Sequence, residues 1–208
     1  MVITTEKGHC KEVDRYPNAP QTHGAAGDEL KEVSSIVTIA KRGESIKYYY
    51  GYETARAEDT ISTCKWLKLM IGMDDEDEKD AAVYMDLRKE YCDKLKQVNK
   101  TLKAKVTFAG LITLYLQCMH QHLEWWCKTT GETMPTATVA TYPLRWKTKT
   151  IHDYQKLAEN AGWENVIMRS EAEAALDAIL ADKPDTWFPK TVALGDCGGS
   201  THVSFSLF

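Results

Sequence analysis

Near its C-terminal end the chain reads Thr191-Val192-Ala193-Leu194-Gly195-Asp196-Cys197-Gly198-Gly199-Ser200-Thr201-His202-Val203-Ser204-Phe205. Two apolar runs around a glycine pair spell strand, turn, strand. A carboxylate at the end of a buried strand, followed by two glycines, puts Asp196 beside bare backbone N–H groups. That arrangement can hold phosphate oxygens and a hydrated cation together, and Ser200 and Thr201 add hydroxyls. The same residues also make an ordinary hairpin, in which the glycines serve only the turn and Asp196 caps it. Upstream, Met168-Arg169-Ser170-Glu171-Ala172-Glu173-Ala174-Ala175-Leu176 delivers a second carboxylate, Glu171, where a strand becomes a helix. There it could position water or an ion. In the plainer reading a glutamate in a first helical turn complements the helix dipole, which is the role given to Glu173.

Two other clusters invite chemistry and do not hold it. Cys118, His120, His122 and Cys127 include metal-ligating types, but on one helix only Cys118 and His122 share a face. Their plainer role is packing against a sheet, with Trp125 and Trp126 adding apolar area. The acidic run from Asp74 to Asp80 lacks the ligand spacing and central glycine of an EF-hand and reads as a solvated linker. No Gly-x-x-x-x-Gly-Lys-Ser/Thr loop, Gly-x-Gly-x-x-Gly fingerprint, Gly-x-Ser-x-Gly elbow or His-Glu-x-x-His helix occurs in the sequence.

These residues need elements to place them. Residues 1–34 carry Pro17, Pro20, Gly24 and Gly27 among polar residues and read as an irregular leader. Ser35 to Ala40 and Ile46 to Tyr50, separated by Lys41-Arg42-Gly43-Glu44, read as a hairpin. From Ala57 to Ile71 the positions Ile61, Cys64, Leu67, Leu69 and Ile71 approximate helical spacing, with Gly72 as a stop. Helices follow over Ala81 to Val98 and Val106 to Lys128. Short strands then alternate with helices: Thr138 to Tyr142, helix Thr148 to Ala161, Asn165 to Met168, helix Glu171 to Ala181, and Thr191 to Leu194. That order predicts an α/β sandwich.

At this point the motifs resemble a family, the actin-like ATPase superfamily, and within it the nucleotide-binding domain of the seventy-kilodalton heat-shock (DnaK-like) chaperones. Gly195-Asp196-Cys197-Gly198-Gly199-Ser200-Thr201 looks like that family's second phosphate motif, Asp-x-Gly-Gly-Gly-Thr. Ser170-Glu171-Ala172-Glu173-Ala174-Ala175 looks like its Glu-Pro-x-Ala-Ala-Ala segment, and Ala140-Thr141-Tyr142-Pro143 like its Thr-Val-Pro strand end. Tyr50-Gly51-Tyr52 followed by Lys65-Trp66-Leu67-Lys68-Leu69-Met70-Ile71-Gly72 is similar to the strand-then-helix that carries a phosphate-contacting lysine, with Lys68 the better aligned. The resemblance spans residues 35–208.

It implies an α/β fold of the ribonuclease H-like, actin-like ATPase type, a mixed sheet flanked by helices forming the first lobe of a nucleotide-binding domain. It implies ATP or ADP with magnesium as ligands. Asp196 would orient magnesium through water, and Gly198, Gly199, Ser200 and Thr201 would line the terminal phosphates. Glu171 would place magnesium or the attacking water, and Lys68, otherwise a solvent-facing lysine, would neutralise phosphate charge. Such catalysis is mostly positioning and charge compensation. The departures are as informative. No Asp-x-Gly-Thr-Thr loop stands among residues 1–34, so the first phosphate hairpin is expected to be missing. A second lobe is expected to be missing after Phe208. Ser200 replaces a third glycine, and Val203 replaces a carboxylate.

The expectation is therefore a partial or degenerate ATP-binding domain, at most a weak ATPase, whose partners are a nucleotide and a second lobe or protein. The alternatives are a non-catalytic interaction module on the same fold and a relative of polyphosphate or nucleotide phosphatases, whose Asp-x-Gly-Gly-Gly-Ser-Thr turn suits Ser200-Thr201. Composition narrows the rest. At 208 residues, 43% hydrophobic and 27% charged, the chain can bury a sizeable core. A net charge of −4 gives no basic footprint for nucleic acid. The longest apolar run, Phe108 to Leu116, is too short for a membrane span. Six dispersed cysteines without a Cys-x-x-Cys, and a polar start, fit a reduced, cytoplasmic setting.

Overall fold

The structure, a computed structural model, describes residues 2–4, 10–13, 36–43, 45–65, 67–71, 82–144, 146–182, 192–197 and 202–207. The architecture is mixed α/β: nine strands and four α-helices among the described residues. The predicted hairpin forms as β3 (Val37–Arg42) and β4 (Ser45–Tyr50), antiparallel from Val37↔Tyr50 to Arg42↔Ser45. Gly43, at φ 63°, takes the left-handed turn conformation that closes it.

The helix expected over 57–71 does not form. Thr60–Cys64 is instead strand β5, antiparallel to the other edge of β3, and a short 3-10 helix spans Leu67–Met70. The apolar spacing that suggested a helix was misleading because Thr60, Ile61 and Thr63 are β-branched and β3 offered them an open edge. The Thr38 and Thr63 hydroxyls meet at 3.1 Å across this ladder. Asp59, at φ 51°, turns the chain into β5, and its carbonyl accepts from the Lys41 N–H at 3.2 Å.

Helices α1 (Ala82–Leu102) and α2 (Phe108–Thr130) fall close to their predicted spans. The turn between them is tied by Asn99, whose side chain donates to the Val106 carbonyl at 3.0 Å and accepts from the Val106 N–H at 2.6 Å. Thr107 caps α2 by accepting from the Gly110 N–H, and Gly131, at φ 76°, ends it. Strand β6 (Thr138–Tyr142), helix α3 (Thr148–Asn160) and strand β7 (Val166–Ser170) form a βαβ unit with β6 and β7 parallel, and α4 (Glu171–Asp182) follows directly. Strands β8 (Val192–Cys197) and β9 (His202–Leu207) pair antiparallel, ending at Cys197↔His202.

The single mixed sheet expected from the sequence is replaced, among the described residues, by four separate ladders: β1–β2, β4–β3–β5, β6–β7 and β8–β9. Packing joins the β4–β3–β5 ladder to the β6–β7 pair. One cluster runs from Val37 and Ile39 of β3 through Leu67 and Met70 to Leu111 on α2, and on to Ala158 and Val166 of the βαβ unit. Within the leader, residues 2–4 and 10–13 are described. Val2–Thr4 (β1) and Cys10–Glu12 (β2) pair antiparallel. Val13, fully buried, packs with Leu123, Trp126 and Cys127 on the last turns of α2, so this part of the leader is anchored by apolar burial rather than irregular and frayed.

Candidate functional site

The C-terminal end of β7 is where chemistry-bearing residues gather. Ser170 ends the strand and starts α4 with a reciprocal cap. Its hydroxyl accepts from the Glu173 N–H at 3.1 Å, while the Glu173 carboxylate accepts from the Ser170 N–H at 2.9 Å and from its hydroxyl at 2.8 Å. This is a capping box, and its Ser-x-x-Glu spacing was readable in the sequence. The Ser170 N–H, and after it the hydroxyl, hold the Glu173 carboxyl below its ordinary range. Glu173 is thus committed to the helix end, and Glu171, one position into α4, is left to face outward. Replacing Ser170 with alanine is expected to lower stability by about 1 kcal/mol, read from urea unfolding. An unchanged midpoint would mean the box contributes nothing.

Glu171 meets Lys68. The Lys68 ammonium lies 2.6 Å from Glu171 Oε1, joining residues 103 positions apart. Lys68 sits in the 3-10 helix after β5, where Leu67, Met70 and Ile71 are buried, and this anchoring aims the intervening lysine outward. Its side chain is 34% exposed and that of Glu171 23%, so the pair is packed on one side and reachable from solvent on the other. An aromatic group adjoins the strand end, where Tyr142 is in register with Ser170. Tyr142, at the end of β6, stacks on Trp146, which meets Tyr154 of α3 edge-on at 5.4 Å. Burial, then the neighbouring Tyr115 and Glu171, push the Tyr154 phenol up to about 12. Sequence reasoning passed over Tyr154 and Trp146, because only tertiary packing of α3 on α2 and β7 brings Tyr154 within electrostatic reach of Glu171.

Asp196 is the penultimate residue of β8, opposite Val203, and β8 packs against α4. Gly198, Gly199, Ser200 and Thr201 lie outside the described residues. Among the described residues, no group of three His, Cys, Asp or Glu side chains converges to hold a metal. Magnesium does not require such a cage, since it is commonly held by one or two carboxylates, several waters and the phosphates themselves. Around the Cys118–Cys127 segment, His120 packs edge-on against Trp163 at 5.1 Å and His122 is buried. Burial, then Glu53, pushes the Cys118 thiol up to about 11, which disfavours the thiolate that a metal needs.

A groove of about 360 Å³ lies elsewhere, between the β3–β4 hairpin and residues 53–59. Four cations, Lys41, Arg42, Lys47 and Arg56, and three carboxylates, Glu53, Glu58 and Asp59, line it. The near balance of charge leaves no strong field for a polyanion. Among the described residues no helix is long and apolar enough to cross a membrane. No protein-family model matches the chain, and no curated protein does.

Proposed function

We propose that the chain is a partial nucleotide-binding domain of the actin-like, heat-shock-chaperone type, holding the phosphates of ATP or ADP with magnesium and turning ATP over weakly or not at all. The observation that carries this reading is the meeting of Lys68 and Glu171 at 2.6 Å. Each was singled out by a different motif in the sequence. A chance pairing of the two among all the lysines and glutamates of a 208-residue chain is a strong coincidence. The βαβ unit supports the reading too, because ligands of open α/β folds gather beyond the carboxyl ends of parallel strands, and Glu171 follows β7 directly.

In this reading Lys68 supplies positive charge to a terminal phosphate, and Glu171 orients water or the hydration shell of magnesium. Asp196, with Gly198, Gly199, Ser200 and Thr201, would contribute to the same phosphates, as the motif resemblance implies. Bound magnesium would neutralise phosphate charge. The protein's part is to fix these groups so that they need little rearrangement. Weak turnover is expected in this reading because Val203 stands where the resembled family commonly carries a carboxylate.

The test is calorimetric titration of the chain with ATP and magnesium. Weak binding is expected, with Lys68→Met lowering the affinity about tenfold, as for loss of a charged hydrogen bond. Absence of binding at millimolar ATP, or equal binding by the Lys68→Met chain, would remove the reading.

A further inference from the structure

The Lys68–Glu171 contact has a consequence for which ligand can enter. Resting on the phosphate-binding reading above, we propose that Glu171 is a specificity-determining residue, which occupies Lys68 so that bare phosphate anions are disfavoured and phosphate complexed to a divalent cation is selected.

The argument is one of charge accounting. With no ligand bound, the ammonium and carboxylate satisfy each other at 2.6 Å, and the pair presents no net charge to an arriving anion. Neither residue has another described ion-pair partner. A bare pyrophosphate group that takes Lys68 must strip it from Glu171. It then leaves a carboxylate, only 23% exposed, uncompensated beside a polyanion. Like charges at that range, partly shielded from water, repel appreciably. A phosphate carrying a divalent cation meets no such penalty. Lys68 passes to the phosphate, and Glu171 passes to the cation or its bound water, so both charges are re-paired in one exchange. Two of the neighbours do not relieve the bare-anion case. Glu173 is tied into the capping box, and Tyr154, the titratable group behind Glu171, is a neutral phenol at physiological pH. Glu171 therefore works as a counter-charge that only a cation can satisfy when Lys68 leaves.

The probe is inorganic pyrophosphate, titrated calorimetrically into the 208-residue chain with magnesium chloride or with a chelator. Wild type is expected to bind the magnesium complex markedly tighter than the bare anion. Glu171→Gln is expected to bind bare pyrophosphate about fivefold tighter than wild type, the equivalent of one partly exposed ion pair, and to lose most of the advantage conferred by magnesium. Glu171→Ala should behave alike. Urea midpoints of both variants, compared with wild type, show that the fold is kept. Glu90→Gln, which removes a carboxylate from the exposed face of α1, serves as the charge-matched control. If Glu90→Gln raises bare-anion affinity equally, the effect is bulk charge and the inference fails. If wild type binds magnesium pyrophosphate while Glu171→Gln leaves bare-anion affinity unchanged, the inference fails and the nucleotide reading stands. If none of the chains binds pyrophosphate or ATP under either condition, both fall.

Discussion

Truncating Leu67 to alanine is expected to lower the free energy of unfolding by about 3 kcal/mol and to weaken phosphate binding in the same variant. Leu67 is 2% exposed and belongs to the main core cluster, yet it lies in a four-residue 3-10 helix with few hydrogen bonds of its own. So short an element holds its place by what it buries rather than by its backbone. Leu67, Met70 and Ile71 pack inward, and the segment as a whole packs on α2. The cavity left by the lost side chain would loosen the platform from which Lys68 reaches Glu171. Lys68→Met provides the contrast. It removes a partly exposed ion pair and should change stability by less than about 1 kcal/mol while reducing phosphate affinity. Urea unfolding and pyrophosphate titration on the two variants separate the effects. A Leu67→Ala chain as stable as wild type would mean that the segment is not held by the core, and the account of how Lys68 is aimed would fail with it.

The same segment marks the limit of what could be read from the residues. Ile61, Cys64, Leu67 and Ile71 fit helical spacing, and no local signal says that Thr60–Cys64 will be claimed by the edge of β3. That decision belongs to a partner more than twenty residues away in sequence, as the Thr38–Thr63 contact illustrates. Where period, caps and length agreed, the elements were legible. Strand β6 was placed to the residue, α3 within one residue of its end, and α4 from its first residue. The joining of strands into sheets was not legible, because four ladders and one mixed sheet have the same local patterns. In the candidate site, Glu171 and Lys68 were found through motif order, whereas their contact was not implied by either motif alone. Ser170 and Glu173 carried a capping signature that local spacing discloses. Tyr154 carried none, since a tyrosine on an amphipathic helix becomes a neighbour of Glu171 only once the helix has docked.

Alkaline pH should remove several kcal/mol of stability, and Tyr154 should account for a measurable share. An unfolded tyrosine ionises near its ordinary 10.0, while the folded Tyr154 holds its proton until about 12, chiefly through burial and then through Tyr115 and Glu171. Tyr50 is pushed up to about 12 as well, by burial and then by Cys118, Glu53 and Tyr115. Cys118 goes from 9.0 to about 11, through burial and then Glu53. Burial also raises Tyr91, Cys64 and Cys127. In every case the folded chain binds its proton more tightly than the unfolded chain does. This contribution is complete below the unfolded pKa values and is lost as pH climbs through the window from 9.0 to about 12. Each group alone would remove about 1.4 kcal/mol per pH unit within its window. Tyr50 and Cys118 share neighbours, so their losses do not add fully, and a total on the order of 5 kcal/mol is expected by about pH 12. Tyr154→Phe removes one titrating group. Its urea-derived stability should fall less between about pH 9 and about pH 12 than that of wild type, by on the order of 2 kcal/mol. Coincident alkaline limbs for the two chains would show that Tyr154 ionises as freely in the fold as out of it, and that its phenol is open to water.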